Sequence, residues 1–573
     1  MLKICLLLDE LVVPNWEYRI VRGLLDKSPT VQITCVVLNR RENISINNKN
    51  PLRKIIGIIN SSFIWSVYQI FTKKYLTQSF NPHDLSFLKA KKEILFLECE
   101  GIRAGKYRTR LPGEVIKQLR PLGLDIIIRF GFGILTGDVF QIPKNGIWSY
   151  HHDDMEKYRG GPPVFWQVFN GEKKIGSTLQ IITEELDKGF ELIKGFYKPC
   201  LSYIQTREKV FADSAQYVTN VIDQLLVGKT IGEIGKSPNY YSKKIYKAPK
   251  NLDAIRFIWR EFIKQKKCWN DLWVEMKERW SIAGYHLTEK CILSGTINRG
   301  TEKFLFTNQN SDETSYFVAD PFWIFHKEKY YLFYENCDSN NKANIALATS
   351  LDFINWKFEG VVLKEPFHLS YPSLVRSGDD IFMVPESYQA QEVRLYKANS
   401  DLDHWQYQGP LLSGEQFVDP TIFFKDGLWW MYVSCIPYEN DVLRLYLSEE
   451  ITGPWKEHPC SPIVRDPQYA RMAGPVVRIG RKLIRFGQDN LDTYGRRVYA
   501  FEVNQLTRSD YSEVLIGPGP LLAPGKTFKD GVHHICLGLI HGDLKAVIDG
   551  KNFEANMRPL GEIARIITNK IRS

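Results

Sequence analysis

Hydrophobic and polar positions follow different patterns in the two halves of the chain. In the amino-terminal half, short apolar runs over 3–8, 31–38 and 126–130 have the length and β-branched content of buried strands. Residues 17–27 have helical spacing between the first two runs. This order predicts a βαβ start and an α/β domain with a parallel sheet.

The same half predicts a second group of elements further along the chain. Residues 177–182 and 191–196 are expected to form a β-hairpin, and residues 206–227 a helix with an apolar face. An uncharged segment over 55–71 lies between pairs of basic residues. It is shorter than the ~20 apolar residues of a membrane span. A core or interfacial helix is predicted, and peripheral membrane contact through 53–74 stays open.

The carboxyl-terminal half repeats a unit of about 50 residues. Each unit begins with a dipeptide ending in proline, followed by an apolar strand, a polar turn and an aromatic strand. The four dipeptides are Asp320-Pro321, Tyr371-Pro372, Asp419-Pro420 and Gly474-Pro475. A fifth unit fits 531–534 and 546–550. Repeats of this length with short strands predict an all-β five-bladed propeller.

Three segments follow from these patterns. Residues 1–235 are predicted to be the α/β domain, 236–295 a helical connector with a helix over 255–280, and 296–573 the propeller. The connector is placed where lysine, arginine and tryptophan become frequent.

Composition narrows the class of protein. The chain has 573 residues, is 44% hydrophobic and 24% charged, and is therefore expected to be globular. A net charge of +10 without a dense basic patch does not predict nucleic-acid binding. The ten cysteines form no Cys-x-x-Cys motif, and no metal is predicted. The first apolar run is too short for a signal peptide. We therefore predict a cytoplasmic protein, with a position peripheral to the inner face of the membrane as the alternative.

Residues 146–189 contain the polar groups most suited to catalysis. His151 and Asp187 are delivered by separate loops to the carboxyl edge of a predicted sheet, where they can handle protons. The motifs there are Ser149-Tyr150-His151, Arg159-Gly160 followed by proline, and Leu186-Asp187-Lys188-Gly189. They resemble the catalytic domain of the folate-dependent formyltransferases. That family has Asn-x-His, Arg-Gly and Leu-Asp-x-Gly in the same order, so Ser149 replaces its asparagine.

The resemblance covers about residues 1–230 and implies a Rossmann-like fold and a site. It implies formyl transfer from 10-formyltetrahydrofolate to a primary amine, with His151 polarising the formyl oxygen or shuttling a proton. Asp187 would orient His151 or accept the amine proton through water. Loss of an oxyanion donor costs ~100-fold or more in rate, so Ser149 is the main support for an inactive formyltransferase half. The implied pterin-binding loop is Arg129, Phe130, Gly131, Phe132 and Gly133. The residues assigned to substrate are His152, Asp153, Arg159 and Gly160.

The carboxyl-terminal half resembles five-bladed propellers related to the family-43 glycoside hydrolases. It is also similar to the propeller domain of plant glucosamine inositolphosphorylceramide transferases. The matching stretches include 317–322, 368–372, 385–387 and 487–489. The resemblance implies a base, an acid and a tuning carboxylate in one funnel, assigned to Asp320, Glu386 and Asp419. The residues expected to line the same funnel are His368, Arg471, Gln488, Asp489 and His533.

Three functions follow as hypotheses. The first is N-formylation of an amino sugar, nucleotide-linked or lipid-linked, in surface glycan biosynthesis, with a glycan-binding or glycan-processing propeller. The second is a glycan-binding or scaffold protein whose formyltransferase half is degenerate. The third is a glycosidase or glycosyl-transfer enzyme whose active half is the propeller.

Overall fold

The computed structural model describes residues 1–40, 62–72, 79–105, 108–184, 189–238, 244–270, 274–295, 297, 302–436 and 440–557. The chain divides into two compact units, Met1–Cys268 and Trp269–Ser573. Each unit is described by itself.

The amino-terminal unit alternates strands and helices. Its helices are α1 Asn15–Leu25, α2 Phe63–Thr72, α3 Gly113–Leu119, α4 Phe165–Asn170, α5 Tyr203–Ser214, α6 Tyr217–Leu226, α7 Ile231–Ile234 and α8 Asn251–Asn270, which reaches the boundary. Its strands are β1 Leu2–Leu8, β2 Val12–Pro14, β3 Val31–Asn39, β4 Pro82–Asp84, β5 Leu95–Cys99, β6 Ile102–Arg103, β7 Arg108–Arg110, β8 Ile126–Arg129, β9 Ile134–Leu135, β10 Ile147–His151, β11 Arg159–Gly160, β12 Ile175–Ile181, β13 Phe190–Tyr197 and β14 Ile245–Tyr246.

A seven-stranded sheet in the order β13-β12-β10-β8-β1-β3-β5 forms the centre of this unit. The pairs from β10 to β5 are parallel, and β12 and β13 add an antiparallel hairpin at one edge. Successive side chains of a strand point to opposite faces. Ile128 and Trp148 therefore belong to the core on one face, while Ile127 and Ile147 belong to the core on the other.

The predicted elements of this unit are present with some changes. The βαβ start is β1-α1-β3, and the hairpin is β12-β13. The predicted helix over 206–227 is two helices, α5 and α6, because the chain turns at 215–216. Helix α2 covers the end of the uncharged segment, and residues 55–61 of that segment lie outside the described residues. Among the described residues, no helix combines the length and the apolar character needed to cross a membrane.

The carboxyl-terminal unit is all-β apart from short helical turns and α9 Glu289–Leu293. Its strands are β15 Val274–Leu287, β16 Phe304–Phe306, β17 Ser315–His326, β18 Lys329–Asp338, β19 Ala343–Ser350, β20 Lys357–Leu363, β21 Ser370–Ser377, β22 Asp380–Glu386, β23 Glu392–Ala398, β24 Trp405–Ser413, β25 Gln416–Lys425, β26 Leu428–Ile436, β27 Val442–Ser448, β28 Lys456–Glu457, β29 Val464–Arg465, β30 Val477–Ile479, β31 Lys482–Asp489, β32 Arg497–Leu506, β33 Tyr511–Leu515, β34 Gly531–Ile540 and β35 Asp543–Met557.

These strands form a propeller-like series of antiparallel sheets. Four sheets follow the chain directly: β17 to β20, β21 to β24, β25 to β28 with β29 added, and β30 to β33. The remaining sheet has the order β16-β15-β35-β34, so it joins the beginning of the unit to its end. The first strands of neighbouring sheets contact one another, as β17 does with β21 and β21 with β25.

The structure corrects the predicted helical connector over 236–295. The helix ends at Asn270 in place of Trp280, and Val274–Leu287 is strand β15. Strand β15 pairs with β35 from Val274↔Met557 to Leu287↔Leu544. A pairing between such distant residues leaves no local trace in the sequence, which explains the error. The boundary between the units at Cys268 falls inside the predicted connector.

Candidate functional sites

A polar row crosses three neighbouring strands of the amino-terminal sheet. Arg129 ends β8, Ser149 lies in β10, and Gln180 lies opposite Ser149 in β12. Arg129 Nε and Nη2 donate to Ser149 Oγ at 3.1 and 2.8 Å, and Arg129 Nη1 donates to the carbonyl of Gly133. The guanidinium is thereby fixed against the serine that stands where the related family has asparagine. The resemblance assigned Arg129 to a pterin-binding loop, and in the structure its side chain also contacts Ser149.

His151 follows Ser149 on the same face of β10. Its Nε2 lies 2.9 Å from the carbonyl oxygen of Tyr158. Because a carbonyl can only accept a hydrogen bond, Nε2 carries the proton in this contact. A neutral His151 then has Nδ1 as its acceptor nitrogen, which is the form that a general base requires.

A cavity of about 240 Å³ opens beside this row. Arg129, His151 and Gln180 are among the residues that line it, whereas the predicted catalytic residue Ser149 is buried behind Arg129 and does not. The side-chain oxygen of Gln180 is buried and has no hydrogen-bond partner among the described residues. A buried acceptor without a partner is costly unless a ligand or water satisfies it. The cavity therefore presents donors and acceptors suited to an amide-like group.

His152 occupies a different environment from the one predicted for a substrate-binding side chain. Its ring packs against Phe211, Tyr150 and Trp16, with a centroid distance of 3.6 Å to Phe211, and its Nδ1 lies 3.1 Å from Ser177 Oγ. Burial lowers the pKa of His152 well below its usual value. Although this residue borders the cavity, its ring is a neutral part of the core.

Asp153 and Gly160 position the loop beside the cavity. Asp153 Oδ1 accepts from the backbone N–H of Val164 at 3.0 Å and from Gln167 Nε2 at 2.9 Å. Gly160 has a φ of +96°, and a Cβ there would lie 2.1 Å from the carbonyl oxygen of Tyr246. Arg159 is buried in β11 beside it. The contacts of these predicted substrate-binding residues hold the loop beside the cavity in place.

Of the predicted pterin-binding loop, Arg129 is the residue that lines the cavity. Phe130, Gly131, Phe132 and Gly133 do not line the cavity. The backbone N–H of Phe132 donates to Asp9 Oδ1 at 2.9 Å, and Phe132 itself is buried in the core. Asp187, the predicted partner of His151, lies outside the described residues, and its role stays a prediction.

In the carboxyl-terminal unit, the first strands of three sheets bulge at equivalent places. Asp320, Tyr371 and Asp419 each precede a proline and have φ values of 51°, 46° and 48°. The strand registers shift at the same points. Positive φ in a non-glycine residue is strained, and bulges of this kind redirect side chains. Asp320 and Asp419 therefore occupy equivalent positions, whereas Glu386 comes from a different one, at the end of β22.

Glu386 and Asp419 share a buried arginine. Arg471 Nε donates to Asp419 Oδ2 at 2.6 Å, and its Nη2 lies 3.4 Å from Glu386 Oε2. The backbone N–H of Asp419 donates to Glu386 Oε2 at 3.0 Å, and Gln488 Nε2 donates to Asp419 Oδ2 at 3.2 Å. Burial, and then the charge of Asp419, raise the pKa of Glu386 to about 8. Glu386 is thus largely protonated at neutral pH.

Asp320 belongs to a second buried group with His533 and Asp549. His533 Nδ1 lies 2.6 Å from Asp549 Oδ1, and its Nε2 lies 3.5 Å from Asp320 Oδ1. The three offer ligand atoms within 4.8 Å of one another, but the His533–Asp549 contact already satisfies two of them. Burial, and then the charge of Glu335, raise the pKa of Asp320 well above its usual value. That shift favours an acid over the predicted base, so the base role stays a prediction.

A cavity of about 500 Å³ lies over these groups. Of the eight residues predicted to form a site in this unit, the cavity is lined by Asp320, Glu386, Arg471, His368 and His533. It is not lined by Asp419, Gln488 or Asp489. Asp489 is instead held by Arg497 Nη1 at 3.0 Å. The lining residues that sequence reasoning missed include Glu335, Tyr494, Trp280, Lys277 and Glu278. Although burial lowers the pKa of His368, the contact with Glu335 at 3.3 Å raises it to about 9.

Comparisons with known proteins agree with this division of the chain. Residues 77–196 match the family model described as formyl transferase, and residues 305–547 match that described as glucosamine inositolphosphorylceramide transferase 1, N-terminal. The chain therefore joins a formyl transferase domain to a region of the second family. Both resemblances inferred from the sequence are confirmed.

Individual relatives match one half each. Glucosamine inositolphosphorylceramide transferase 1 of Oryza sativa subsp. japonica is 35% identical over 248 residues, which cover 41% of this chain and 33% of that protein. Methionyl-tRNA formyltransferase of Clostridium acetobutylicum is 40% identical over 82 residues, covering 14% of this chain and 26% of that protein. The chain thus spans about a third of the length of the first relative and about a quarter of the length of the second. A thermostable family-43 glycoside hydrolase aligns with a TM-score of 0.30 and 16% identity, over 35% of this chain and 76% of that one.

Proposed function

We propose that the amino-terminal unit, as a Rossmann-like formyltransferase, transfers a formyl group from 10-formyltetrahydrofolate to the amine of a sugar. The observation that carries the proposal is the hydrogen-bonded pair of Arg129 and Ser149 beside His151, within the formyl transferase domain. An amino sugar is favoured because the carboxyl-terminal half matches a family named for a glucosamine-containing glycolipid transferase. Its carrier, a nucleotide or a lipid, and a role in cytoplasmic synthesis of surface glycans belong to the same proposal.

The polar side chains at the cavity are suited to binding the formyl donor. When bound, 10-formyltetrahydrofolate supplies the formyl carbon that an amine attacks. Ser149 Oγ accepts two N–H groups from Arg129, so its lone pairs are occupied and its own hydrogen is left to donate. A hydroxyl polarised by a guanidinium is a strong donor to developing negative charge on oxygen. Serine with arginine can thereby replace the asparagine of the related family.

His151 would carry out the proton transfers of the reaction. With Nε2 donating to Tyr158, we assign to Nδ1 the role of accepting the proton released by the attacking amine. The same proton can then be returned to the departing nitrogen, so the side chain ends as it began. The acceptor oxygen of Gln180 is placed to hold the amine or an N–H of the bound donor.

The test is formyl transfer to a panel of nucleotide-linked amino sugars. His151→Ala is expected to abolish turnover, and Arg129→Gln to lower kcat by about 100-fold, the effect of losing an oxyanion donor. Arg120→Gln, a change of an exposed arginine in the same unit, is the matched control and is expected to leave the rate unchanged. No turnover by the unaltered chain, with folate still bound, would support the degenerate alternative.

A second function is favoured by the buried carboxyl groups of the other unit. We infer that its five sheets are five blades around one axis and that the cavity over Glu386 binds a glycan. Trp280 and Tyr494 line that cavity and suit stacking on a sugar ring. Protonated Glu386, beside Asp419, would serve as an acid on a glycosidic bond.

One variant distinguishes a unit that only binds glycan from one that catalyses a reaction at a glycosidic bond. Glu386→Gln keeps the shape and hydrogen-bond capacity of the side chain but cannot release a proton. Loss of a measured glycosidase or glycosyl-transfer activity with unchanged glycan binding would support catalysis by this unit. Binding without any turnover by the unaltered chain would support a binding module.

A further inference from the structure

Helix α8 presents an apolar stripe on its exposed side. Leu252, Ile255, Trp259, Phe262 and Ile263 are 47–62% exposed and recur at the spacing of one helix face. The opposite face is also apolar, because Ala254 and Phe257 are buried. A surface helix of a soluble domain normally has charged residues on its outer side. The outer stripe of α8 is therefore an exposed apolar patch that calls for a function.

Helix α2 packs against α8 and has exposed apolar residues of its own. Its backbone N–H at Ile64 donates to Asn251 Oδ1 at 3.1 Å, and Tyr68 packs edge-on against Phe257 at 5.7 Å between ring centroids. The two helices are thus packed together. At the end of α2, Ile70 and Phe71 are 74% and 70% exposed. The exposed residues of both helices include four aromatic rings, those of Phe63, Phe71, Trp259 and Phe262.

Charge on α8 is arranged beside the apolar stripe. Arg256, Arg260 and Lys264 are exposed and lie four residues apart, so they form one basic stripe. The helix has two acids. Asp253 is half-buried and lies three residues before Arg256, whereas Glu261 is buried, accepts from the backbone N–H of Tyr203 at 2.9 Å and lies 3.3 Å from Lys264 Nζ. Arg260 Nη1 donates to the carbonyl of Phe169 at 2.7 Å, so the cations outnumber the acids but two of them also have partners within the unit. The outer side of the helix therefore presents cations next to apolar and aromatic groups, the pattern of a helix that lies in the plane of a bilayer surface.

We propose that α8 and the end of α2 dock the chain on an anionic lipid bilayer. An anionic bilayer supplies apolar depth and negative charge along the whole of a 20-residue helix, which is about 30 Å long. A second copy of the chain would have to bring like basic stripes close together, which like-charge repulsion disfavours. The proposal does not rest on the reaction proposed above.

The experiment is co-sedimentation of the full chain with phosphatidylcholine vesicles with and without phosphatidylglycerol. The unaltered chain is expected to bind only the anionic vesicles, and added salt is expected to weaken binding. Trp259→Glu/Phe262→Glu is expected to reduce binding by about tenfold or more, because two membrane-facing side chains become charged. Arg256→Gln/Lys264→Gln is expected to reduce it by about 25-fold, since each of the two basic residues contributes about fivefold near an anionic surface.

Matched controls make the outcome decisive. Leu226→Glu/Val227→Glu changes two exposed apolar residues at the end of α6 and is expected to bind as the unaltered chain does. Unchanged thermal unfolding would show that each variant is folded. Equal binding by Trp259→Glu/Phe262→Glu and the unaltered chain would overturn the proposal, as would no binding to either vesicle. If the unaltered chain bound no vesicles but formed a dimer whose population rose with protein concentration, and only Trp259→Glu/Phe262→Glu lost that dimer, the patch would be assigned to self-association.

Discussion

Replacement of Glu386 by Gln is expected to stabilise the carboxyl-terminal unit at and above neutral pH. Glu386 is buried, and burial together with the charge of Asp419 raises its pKa from 4.5 to about 8. Ionising it in the folded protein is therefore costly. Gln retains an oxygen for the hydrogen bond that the Asp419 backbone N–H makes at 3.0 Å, so the substitution removes the titration and little else.

The size and sign of the expected change in the free energy of unfolding follow from the linkage between protonation and folding. Below pH 4.5, Glu386 is protonated in the folded and unfolded chains, and its titration leaves stability unchanged. Between 4.5 and about 8 only the unfolded chain loses the proton, so stability falls as pH rises. At about 1.4 kcal/mol per pH unit, the loss reaches roughly 4 kcal/mol near pH 8. The Gln variant escapes that loss and should exceed the unaltered protein by up to this amount.

The assay is urea unfolding at about pH 5 and about pH 8, followed by hydrogen exchange of peptides from the carboxyl-terminal unit. That readout reports this unit separately from the other. Glu450→Gln, at an exposed carboxyl group, is the control and should change stability little at either pH. An advantage of Glu386→Gln that is the same at both pH values, or a loss of stability near pH 8, would show that folded Glu386 is ionised.

Three further predictions concern single contacts. Arg485→Met should cost about 3 kcal/mol in urea unfolding because it leaves Glu513 without its bidentate partner; Arg485→Met/Glu513→Leu should recover most of this, and no recovery would argue against the pair. Gly160→Ala should lower the temperature of thermal unfolding, since its Cβ would meet the Tyr246 carbonyl oxygen; an unchanged transition would contradict that clash. His152→Phe should leave formyl transfer within a few-fold of normal, whereas a loss comparable to that of His151→Ala would return His152 to the catalytic groups.

Local patterns were enough to predict much of each unit. The apolar runs at β1, β3 and β8, the hairpin β12-β13 and the regular proline dipeptides of the carboxyl-terminal half are properties of short segments. The motif around His151 was likewise enough to identify the formyl transferase domain, because its residues are close in sequence.

Other features depend on residues that only the folded chain brings together. Arg129 reaches Ser149 from a neighbouring strand, which turns an apparent loss of a donor into a cation-supported hydroxyl. His533 and Asp549 complete a group with Asp320 from the opposite end of the unit.

The sequence by itself determined the order of elements, the repeat and the identity of the two domains, because these are encoded within short windows. Tertiary structure decided which polar side chains meet, that β15 is a strand, and that α8 has an exposed apolar stripe. Each of these depends on strand pairing or burial between distant segments, such as β15 with β35 and α8 with α2. Burial also set the pKa of Glu386, since desolvation acts only once the chain surrounds the carboxyl group.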